Sequence, residues 1–381
     1  MNQNSQSPQK QHTAPLPSEN GTFSSGTPGS QGRPEWKVCF DGNFWSSQGQ
    51  DQAGAELRIG EPFQWAGRHW LLPAVYSCGE GLVLDLCMRI EPREMDAFME
   101  KWDLTPENAD YDRFTREQQM EIELNNPLHL KFYPELEVNG RKLTLSHSCA
   151  VHYLPWLSEK YPDEAAAWGL EAAPAAKHYG LDPAYGWCIS RHAFLWEGSR
   201  FSQIDSLLLS MEPYPVDIPG PRFTAAPGDT ISFIHPADGC QCTLTVRDIS
   251  QETLDKTRLE ELEDPFEFPP HYTVLTYTLS PESENGITVA GCSDGDQPRR
   301  KAVSPDSGGS ASGGSAAAIG IIGGAVIPVV LSDASVEQQK LHAVCSLPRF
   351  EPVKETEWSI IFHEKRFKTG VFHFDVKDCV I

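Results

Sequence analysis

The sequence predicts a mostly β protein, with antiparallel β-sandwich-like regions, one or two short helices and long loops; an α+β class is the alternative. Two observations predict this class. Asn-Gly and Asp-Gly dipeptides, which favour tight hairpin turns, each lie between stretches in which apolar and polar residues alternate. Several other stretches are rich in Val, Ile and aromatic residues, whereas helical spacing of apolar residues is rare.

The N-terminal half contains two predicted strands and two predicted helices. The strands cover Arg68–Tyr76 and Leu82–Ile90. A helix near residues 92–102 begins at a proline and carries an apolar stripe at i, i+3, i+4 and i+7, formed by Met95, Phe98, Met99 and Trp102. A weaker helix near residues 162–169 ends at a glycine. The first helix therefore has one face suited to packing on a sheet.

The Asn139-Gly140 dipeptide predicts a hairpin with a testable register. A type I′ turn there sets Leu136 opposite Leu143 on an apolar face and Glu137 opposite Lys142 on a charged face. Continuing the same register pairs Pro134 with Leu145, Phe132 with His147, Leu130 with Cys149, and Leu128 with Val151.

The Asp238-Gly239 dipeptide predicts a second hairpin. Folding about this turn pairs Phe233 with Leu244 and places His235 opposite Cys242. It also pairs Ile231 with Val246, and Ser232 with Thr245. The remaining predicted strands are Tyr185–Trp196, Gln203–Glu212, Tyr272–Leu279, Glu357–His363 and Val371–Val376.

The chain divides into a disordered tail (residues 1–34), a β-rich region (35–180) and a second β-rich region (181–381). The second region contains a flexible Ser/Gly insertion near residues 297–315. The aromatic strands after this insertion form at most one hairpin, which is marginal alone, so we expect them to dock onto the preceding sheet. The alternative is a small separate C-terminal module.

Charge and cysteine usage limit the partners and the compartment. With 31 basic and 53 acidic residues the net charge is −22, so nucleic-acid and anionic-membrane partners are disfavoured. The N-terminus lacks the hydrophobic core of a secretion signal, and the ten cysteines are irregularly spaced. We therefore expect a cytoplasmic protein with free thiols.

Residues 316–331 resemble a known functional motif. Ile319–Ala325 and Pro328 match the Ile-Gly-Ile-Ile-Gly-Gly-Ala-Asp-Gly-Pro-Thr motif of the membrane-embedded beta subunit of sodium-translocating decarboxylases. The resemblance implies an intramembrane ion site with a carboxylate ligand. The family's Asp, second Gly and Thr are replaced here by Val326, Ile327 and Val329, so the carboxylate is missing.

The same segment is too short for a comfortable membrane span, which takes about 20 apolar residues, and its glycines and proline weaken a helix. The alternative is a buried strand or a Gly-rich turn. As a whole the chain is similar to uncharacterised bacterial proteins that carry a degenerate copy of this motif, and that resemblance implies no function.

His235, Cys240 and Cys242 are candidate metal ligands. The predicted hairpin places these three on one face, where they could hold a soft ion such as zinc, although no fourth ligand is visible. The alternative is that the two thiols pack in the core beside Phe233 and Leu244.

Other histidines and cysteines are also candidates for functional groups. Strand alternation directs His147 and Cys149 towards the core with Leu143 and Leu145, and His152 away from it, which favours a packing role. Cys188 and His192 share a face and could form a thiolate–imidazolium pair only if the strand bends there.

Phe63, Trp65 and Trp70 are candidates for a ligand platform. A two-residue loop at Ala66-Gly67 sets Phe63 opposite Trp70, with Trp65 beside the turn. Large aromatic side chains near a loop can bind a ligand, and they can equally close the open end of a β-sandwich.

The sequence therefore favours a non-enzymatic binding or scaffolding protein that uses sheet edges or loop aromatics. Its partner is a protein or a small molecule that the sequence does not identify. It lacks the common phosphate-binding, esterase-elbow and metalloprotease motifs. One alternative is a thiol- or metal-dependent enzyme centred on His235, Cys240 and Cys242. Another is a degenerate component of a sodium-translocating decarboxylase.

Overall fold

The computed structural model describes residues 36–44, 52–105, 108, 111–162, 172–254, 266–281, 286–300, 329–330 and 340–376. The predicted tail (1–34), the predicted helix after residue 162, the insertion after residue 300 and the motif residues 319–328 lie outside these ranges. All elements below belong to one compact unit, residues 37–381.

The described elements confirm the mostly β class. The strands are β1 (Ala55–Trp65), β2 (Arg68–Ser77), β3 (Gly81–Ile90), β4 (Phe132–Val138), β5 (Arg141–Tyr153), β6 (Gly186–Leu195), β7 (Ser206–Pro213), β8 (Val216–Phe223), β9 (Thr230–Ile234), β10 (Gln241–Thr253), β11 (Phe266–Glu267), β12 (His271–Ser280), β13 (Ile287–Gly291), β14 (Arg299–Arg300), β15 (Val329–Val330), β16 (His342–Cys345), β17 (Trp358–Glu364) and β18 (Gly370–Asp375). The α-helices are α1 (Pro92–Trp102), α2 (Arg116–Asn125), α3 (Pro155–Lys160) and α4 (Ala173–Tyr179), and a 3₁₀ helix covers Tyr111–Arg113.

Helix α1 has the predicted bounds and buries the predicted stripe, formed by Met95, Phe98, Met99 and Trp102. It ends at Asp103, whose φ of 52° is left-handed. Helix α2 was not predicted. It begins with a capping box, in which the Thr115 side chain accepts from the Gln118 backbone N–H and the Gln118 side chain accepts from that of Thr115.

The largest sheet has eight strands in the order β1-β2-β3-β6-β5-β4-β7-β18. It curls so that its two edge strands approach each other, and beside them the indole N–H of Trp65 donates to the backbone carbonyl of Lys368 (2.9 Å). Its inner face and helix α1 enclose the larger hydrophobic core. Strands β6 and β7 follow the predicted domain boundary at residue 180, yet both belong to this sheet, where β6 pairs with β3 and β5, and β7 pairs with β4 and β18.

A second core lies between two smaller sheets. A five-stranded sheet (β15-β16-β12-β10-β9) contributes Leu244 and Tyr277, and a three-stranded sheet (β13-β17-β8) contributes Trp358 and Ile360. All four side chains are at most 2% exposed. Strands β11 and β14 form a separate two-stranded sheet. The strands around the larger core form the first layered region, and the strands around the second core form the second layered region.

Two of the three predicted turns have the predicted register. Phe63 lies opposite Trp70, and both turn residues, Ala66 and Gly67, have positive φ. About Asn139-Gly140 the strands form the Leu136–Leu143 and Glu137–Lys142 pairs. The predicted pairs further from that turn are wrong, because β4 and β5 separate after Leu136–Leu143 and pair instead with β7 and β6.

The third turn is displaced by two residues. Phe233 pairs with Cys242 instead of Leu244, and His235 lies opposite Cys240, where its N–H donates to the Cys240 carbonyl (2.9 Å). Pro236 explains the shift, because proline has no N–H to donate to the strand ladder, and β9 ends at Ile234 before it. A shift of two residues keeps each side chain on its predicted face.

A β-bulge in β5 overturns the predicted orientation of its histidines. Leu145 pairs with Phe194, but His147 pairs with Ala193, so one extra residue lies between them on β5. His147 and Cys149 therefore share the outer face with Arg191, away from Leu145, and His152 lies on the inner face opposite Cys188. The prediction that His147 points to the core and His152 away from it was wrong.

The strands after the insertion dock onto earlier strands, as expected. Strand β16 pairs with β12, β17 pairs with β8 and β13, and β18 pairs with β7. They join three different sheets and do not form a hairpin of their own. Within the described ranges, no helix combines the length and apolar content needed to cross a bilayer.

Candidate functional site

The structure does not assemble the predicted metal site. The Cys242 side chain is buried in the second core, and the Sγ atoms of Cys240 and Cys242 each donate to a nearby backbone carbonyl at 3.8 Å. His235 packs its ring against Phe362 (5.1 Å between centroids), and its Nδ1 accepts from the Ala237 N–H (3.3 Å). No group of three or more metal-ligating side chains is positioned for an ion in the part of the chain that the structure describes.

The predicted aromatic platform is brought together but belongs to the core. Phe63 stacks on Trp70 with centroids 6.1 Å apart, and Phe372 packs 4.4 Å from Phe63. Trp65 and Trp70 are 6% and 3% exposed, so their rings present no surface to a ligand. The rings from β1, β2, β4 and β18 close the interior of the curled sheet, which corresponds to the capping alternative.

Cys188 and His192 do not form a nucleophilic pair. Burial raises the pKa of the Cys188 thiol to about 12 and lowers the pKa of His192 to about 4, an effect that Asp85 opposes for the histidine. Both groups are therefore neutral near pH 7. The imidazole is hydrogen-bonded on both sides by hydroxyls, from Ser148 (2.8 Å) and Ser190 (3.0 Å).

A buried polar network lies on the outer face of the large sheet. Arg191 donates two hydrogen bonds to Asp85, each 2.8 Å, and the Tyr179 hydroxyl donates to the same carboxylate (2.5 Å). The Tyr76 hydroxyl hydrogen-bonds to that of Tyr179 (2.8 Å). Asp85 is 0% exposed and Arg191 is 3% exposed, so this ion pair presents no surface to a ligand.

A groove of about 490 Å³ is the best candidate site in the described residues. Its walls come from the end of α2, the segment before β4, the β7–β8 connection and the β17–β18 loop. The connection Tyr214-Pro215 follows Pro213, and prolines donate no ladder hydrogen bond, so the chain leaves the large sheet here. The groove thus lies where the chain passes from the first layered region to the second.

Aromatic and apolar side chains form much of the groove. Tyr214 stacks on Tyr133 with ring centroids 3.6 Å apart. Burial and a hydrogen bond with Tyr133 raise the pKa of Tyr214 to about 12, so its hydroxyl stays protonated. Leu124, Leu130 and Phe367 add apolar surface. The volume is in the range of small-molecule sites, about 300–1,000 Å³.

The groove also gathers basic side chains in a strongly acidic protein. Arg68 is paired with Glu94, and Lys131 with Glu123. Arg366 is different: its guanidinium donates to the Leu124 carbonyl (3.2 Å) and lies 5.8 Å from the Phe367 ring, and it has no carboxylate partner among the described residues. A guanidinium has five N–H donors, so most of those of Arg366 are available to a ligand.

Asp217 lines the groove and also belongs to a hydrogen-bonded row of three side chains. Asp217 Oδ1 is 2.6 Å from Nδ1 of His363, and Nε2 of His363 is 2.8 Å from Oγ1 of Thr288. The three residues lie on β8, β17 and β13, which are adjacent in the three-stranded sheet. Asp217 and His363 are cross-strand partners.

This row was not predicted. Thr288 and Asp217 are 75 and 146 residues from His363 in sequence, so no local motif contains them. The groove residues are equally dispersed, and Arg366 lies in a connecting loop without a recognisable pattern. The available signal was compositional: Lys365-Arg366-Phe367-Lys368 is a basic run in an acidic chain.

Comparison with known proteins adds no family assignment: no family model, no curated protein and no solved structure matches the chain.

Proposed function

We propose that the protein binds a small organic ligand that carries an anionic group next to an apolar part, and that it does so in the groove beside Arg366. The observation that supports this proposal is a guanidinium without a carboxylate partner in the described structure, placed in a groove of about 490 Å³. This function agrees with the binding-protein prediction from sequence and replaces its aromatic platform with a different surface.

Charge and shape define the ligand class. A net charge of −22 repels anions over most of the surface, so an anionic ligand needs a local group of cations. Arg366 supplies a planar donor fork that suits a carboxylate or phosphate, and Lys131 lies in the same wall. Leu130 and Phe367 would contact the apolar part of the ligand.

A thermal-shift screen of carboxylic and phosphoric acids with apolar tails tests the proposal, followed by calorimetry on each hit. For a hit, Arg366→Gln should weaken binding by about 10-fold or more, since a charge-assisted hydrogen bond contributes about 1.5–3 kcal/mol. Arg93→Gln is the matched control, because Arg93 is an exposed arginine outside the groove. Equal affinity in both variants, or no hit in the screen, would argue against this function.

The proposal includes a cytoplasmic location. None of the nine cysteines that the structure describes forms a disulfide, which agrees with a reducing compartment. Alkylation of the protein in denaturant, without reductant and directly after lysis of its host cells, should modify all ten cysteines of the chain. Fewer than ten modified cysteines would indicate disulfides and an oxidising compartment.

A further inference from the structure

The geometry points to an activity beyond ligand binding: Thr288, His363 and Asp217 form a hydrolytic site for small carboxylic esters. In this site Thr288 is the nucleophile, His363 is the general base and acid, and Asp217 is the positioning residue for the imidazole. The inference rests on side-chain geometry in the three-stranded sheet and does not depend on the anionic ligand proposed above.

The hydrogen bonds have the order that nucleophilic catalysis needs. An ionised carboxylate only accepts, so the 2.6 Å contact assigns the Nδ1 proton to His363 as donor to Asp217. In the neutral imidazole, Nε2 is then an acceptor, and the Thr288 hydroxyl donates to it at 2.8 Å. Nucleophile to base and base to carboxylate are thus both within hydrogen-bond distance, the arrangement by which a Ser-His-Asp triad is recognised.

Solvent exposure distinguishes this row from the buried network at Asp85. The side chains of His363 and Asp217 are 27% and 53% exposed, and Thr288 is partly exposed. In contrast, Arg191 and Asp85 are 3% and 0% exposed. A substrate can therefore reach the imidazole and the hydroxyl, whereas the buried ion pair is closed to solvent.

The neighbouring surface provides a place for the substrate. Asp217, the one member of the row that lines the groove, shares this lining with Arg366. Helix α2 packs beside the row, where Met120 contacts Ala290 and Ile361 in a small apolar cluster. An ester whose carbonyl group lies at the partly exposed Thr288 and His363 would have the groove beside Asp217 for its remaining atoms.

The reaction balances with water as the only co-reactant. Thr288 Oγ1 forms a bond to the ester carbonyl carbon while its proton passes to Nε2 of His363. The bond from that carbon to the alkoxy oxygen breaks, and the alcohol leaves with the proton from Nε2. Water then adds to the acyl-threonine, again giving a proton to Nε2, and the carboxylic acid leaves as Thr288 recovers its proton.

The same row could instead serve only to hold three strands together, and the two roles give different results. A purely structural row would make substitutions change stability without any acyl transfer. A catalytic row makes Thr288 the site of covalent modification by reagents that mimic an ester. The decisive readout is therefore the residue that carries the adduct.

The first experiment treats the full chain with a fluorophosphonate probe and maps the adduct by mass spectrometry. We expect the adduct on Thr288, retained in Thr288→Ser and lost in Thr288→Val and His363→Gln. Folding of each variant is checked by circular dichroism. If Thr288→Val fails to fold, the mapped position in the parent chain and in Thr288→Ser decides the question. An unlabelled Thr288 in the folded parent protein overturns the inference.

The second experiment measures hydrolysis of p-nitrophenyl butyrate by the same proteins. His363→Gln should lower kcat/KM by about 100-fold or more, the effect of losing a general base, and Asp217→Asn should lower kcat more than it raises KM. His373→Gln is the matched control, because His373 also lies near an aspartate, Asp375 (3.5 Å), but belongs to the large sheet. Equal rates in His363→Gln and His373→Gln would overturn the inference.

The two proposals fail separately. Loss of hydrolysis in His363→Gln with unchanged ligand binding supports the catalytic row independently of Arg366. Ligand binding that depends on Arg366, in a protein whose Thr288 takes no label, supports the groove and overturns the hydrolytic site.

Discussion

Arg191 and Asp85 form a buried ion pair that is joined by two hydrogen bonds, and they lie on adjacent strands β6 and β3 of the large sheet. Both side chains are almost completely buried, and Tyr179 on α4 adds a third hydrogen bond to the carboxylate. The ion pair raises the pKa of the Arg191 guanidinium against the effect of burial, which lowers it, so the arginine stays charged. A buried charge of this kind depends on its partner.

Asp85→Asn should lower the free energy of unfolding by about 3–5 kcal/mol, because it leaves the Arg191 charge buried beside a neutral side chain. Urea unfolding at pH 7 measures the change. Lys142→Gln is the control, since it removes an exposed ion pair with Glu135 in the same sheet and should cost about 1 kcal/mol or less. Equal losses in the two variants would contradict the structural role of the buried pair.

Gly81→Ala should destabilise the protein by about 1–3 kcal/mol or more through overpacking. A Cβ at Gly81 would lie 2.0 Å from the Phe194 carbonyl oxygen and 2.3 Å from Phe40, and a backbone atom cannot move aside easily. Gly79→Ala is an exacting control because a Cβ there meets nothing within 4 Å. That substitution should be neutral or stabilise by about 0.4–1 kcal/mol. Thermal unfolding of both variants distinguishes them. The prediction fails if the two variants have the same midpoint temperature of unfolding.

The stability of the protein should fall below pH 6.5, in part because of His192. Burial lowers its folded-state pKa to about 4, whereas an unfolded histidine has a pKa of about 6.5. Between these values the unfolded state binds more protons, so stability is fully present above pH 6.5 and decreases as the pH falls towards 4. At pH 5 the loss should be on the order of 1–2 kcal/mol.

Urea titrations at pH 7.5 and pH 5 test this contribution. His192→Gln should lose less stability between the two pH values than the parent protein does. His373→Gln, at an exposed histidine, should keep the parent difference. His152, whose pKa is lowered to about 4 by burial and by His129, should contribute in the same direction. A pH difference unchanged in His192→Gln would show that His192 does not contribute.

Trp358→Ala should cost about 3–5 kcal/mol, the usual effect of removing a fully buried aromatic side chain. Trp358 is 0% exposed in the second core, and its strand β17 pairs with β8 and β13, which both precede the insertion. Val371→Ala on β18 removes a 60% exposed side chain and should have little effect. The midpoints of urea unfolding give the comparison, and similar midpoints would mean that β17 contributes little to the second core.

Local chemistry was sufficient to predict many of the elements. The apolar stripe of α1 and the turns at Ala66-Gly67 and Asn139-Gly140 depend on neighbouring residues alone, and the structure confirms them. Strand β8 escaped prediction because Pro219 and Pro221 are unusual in strands, and they are tolerated here because β8 is an edge of its sheet.

Features that depend on distant residues were missed or placed wrongly. The bulge after Leu145 has no sequence signature, yet it reversed the inner and outer faces for His147 and His152. The displaced turn near Asp238 separated Cys242 from the predicted partner His235. The Thr288–His363–Asp217 row and the groove arise from the pairing of strands far apart in sequence, and periodicity does not contain that pairing.

Strand β18 has a consequence for how the chain reaches its native state. It pairs with β7, more than a hundred and fifty residues earlier, and all of the second layered region is encoded between them. Until residues 370–375 pair with it, β7 has an unpaired edge at which a strand of another chain could add. Assembly of the first region therefore includes a late, long-range closure, the kind of step that slows folding and leaves time for misassociation.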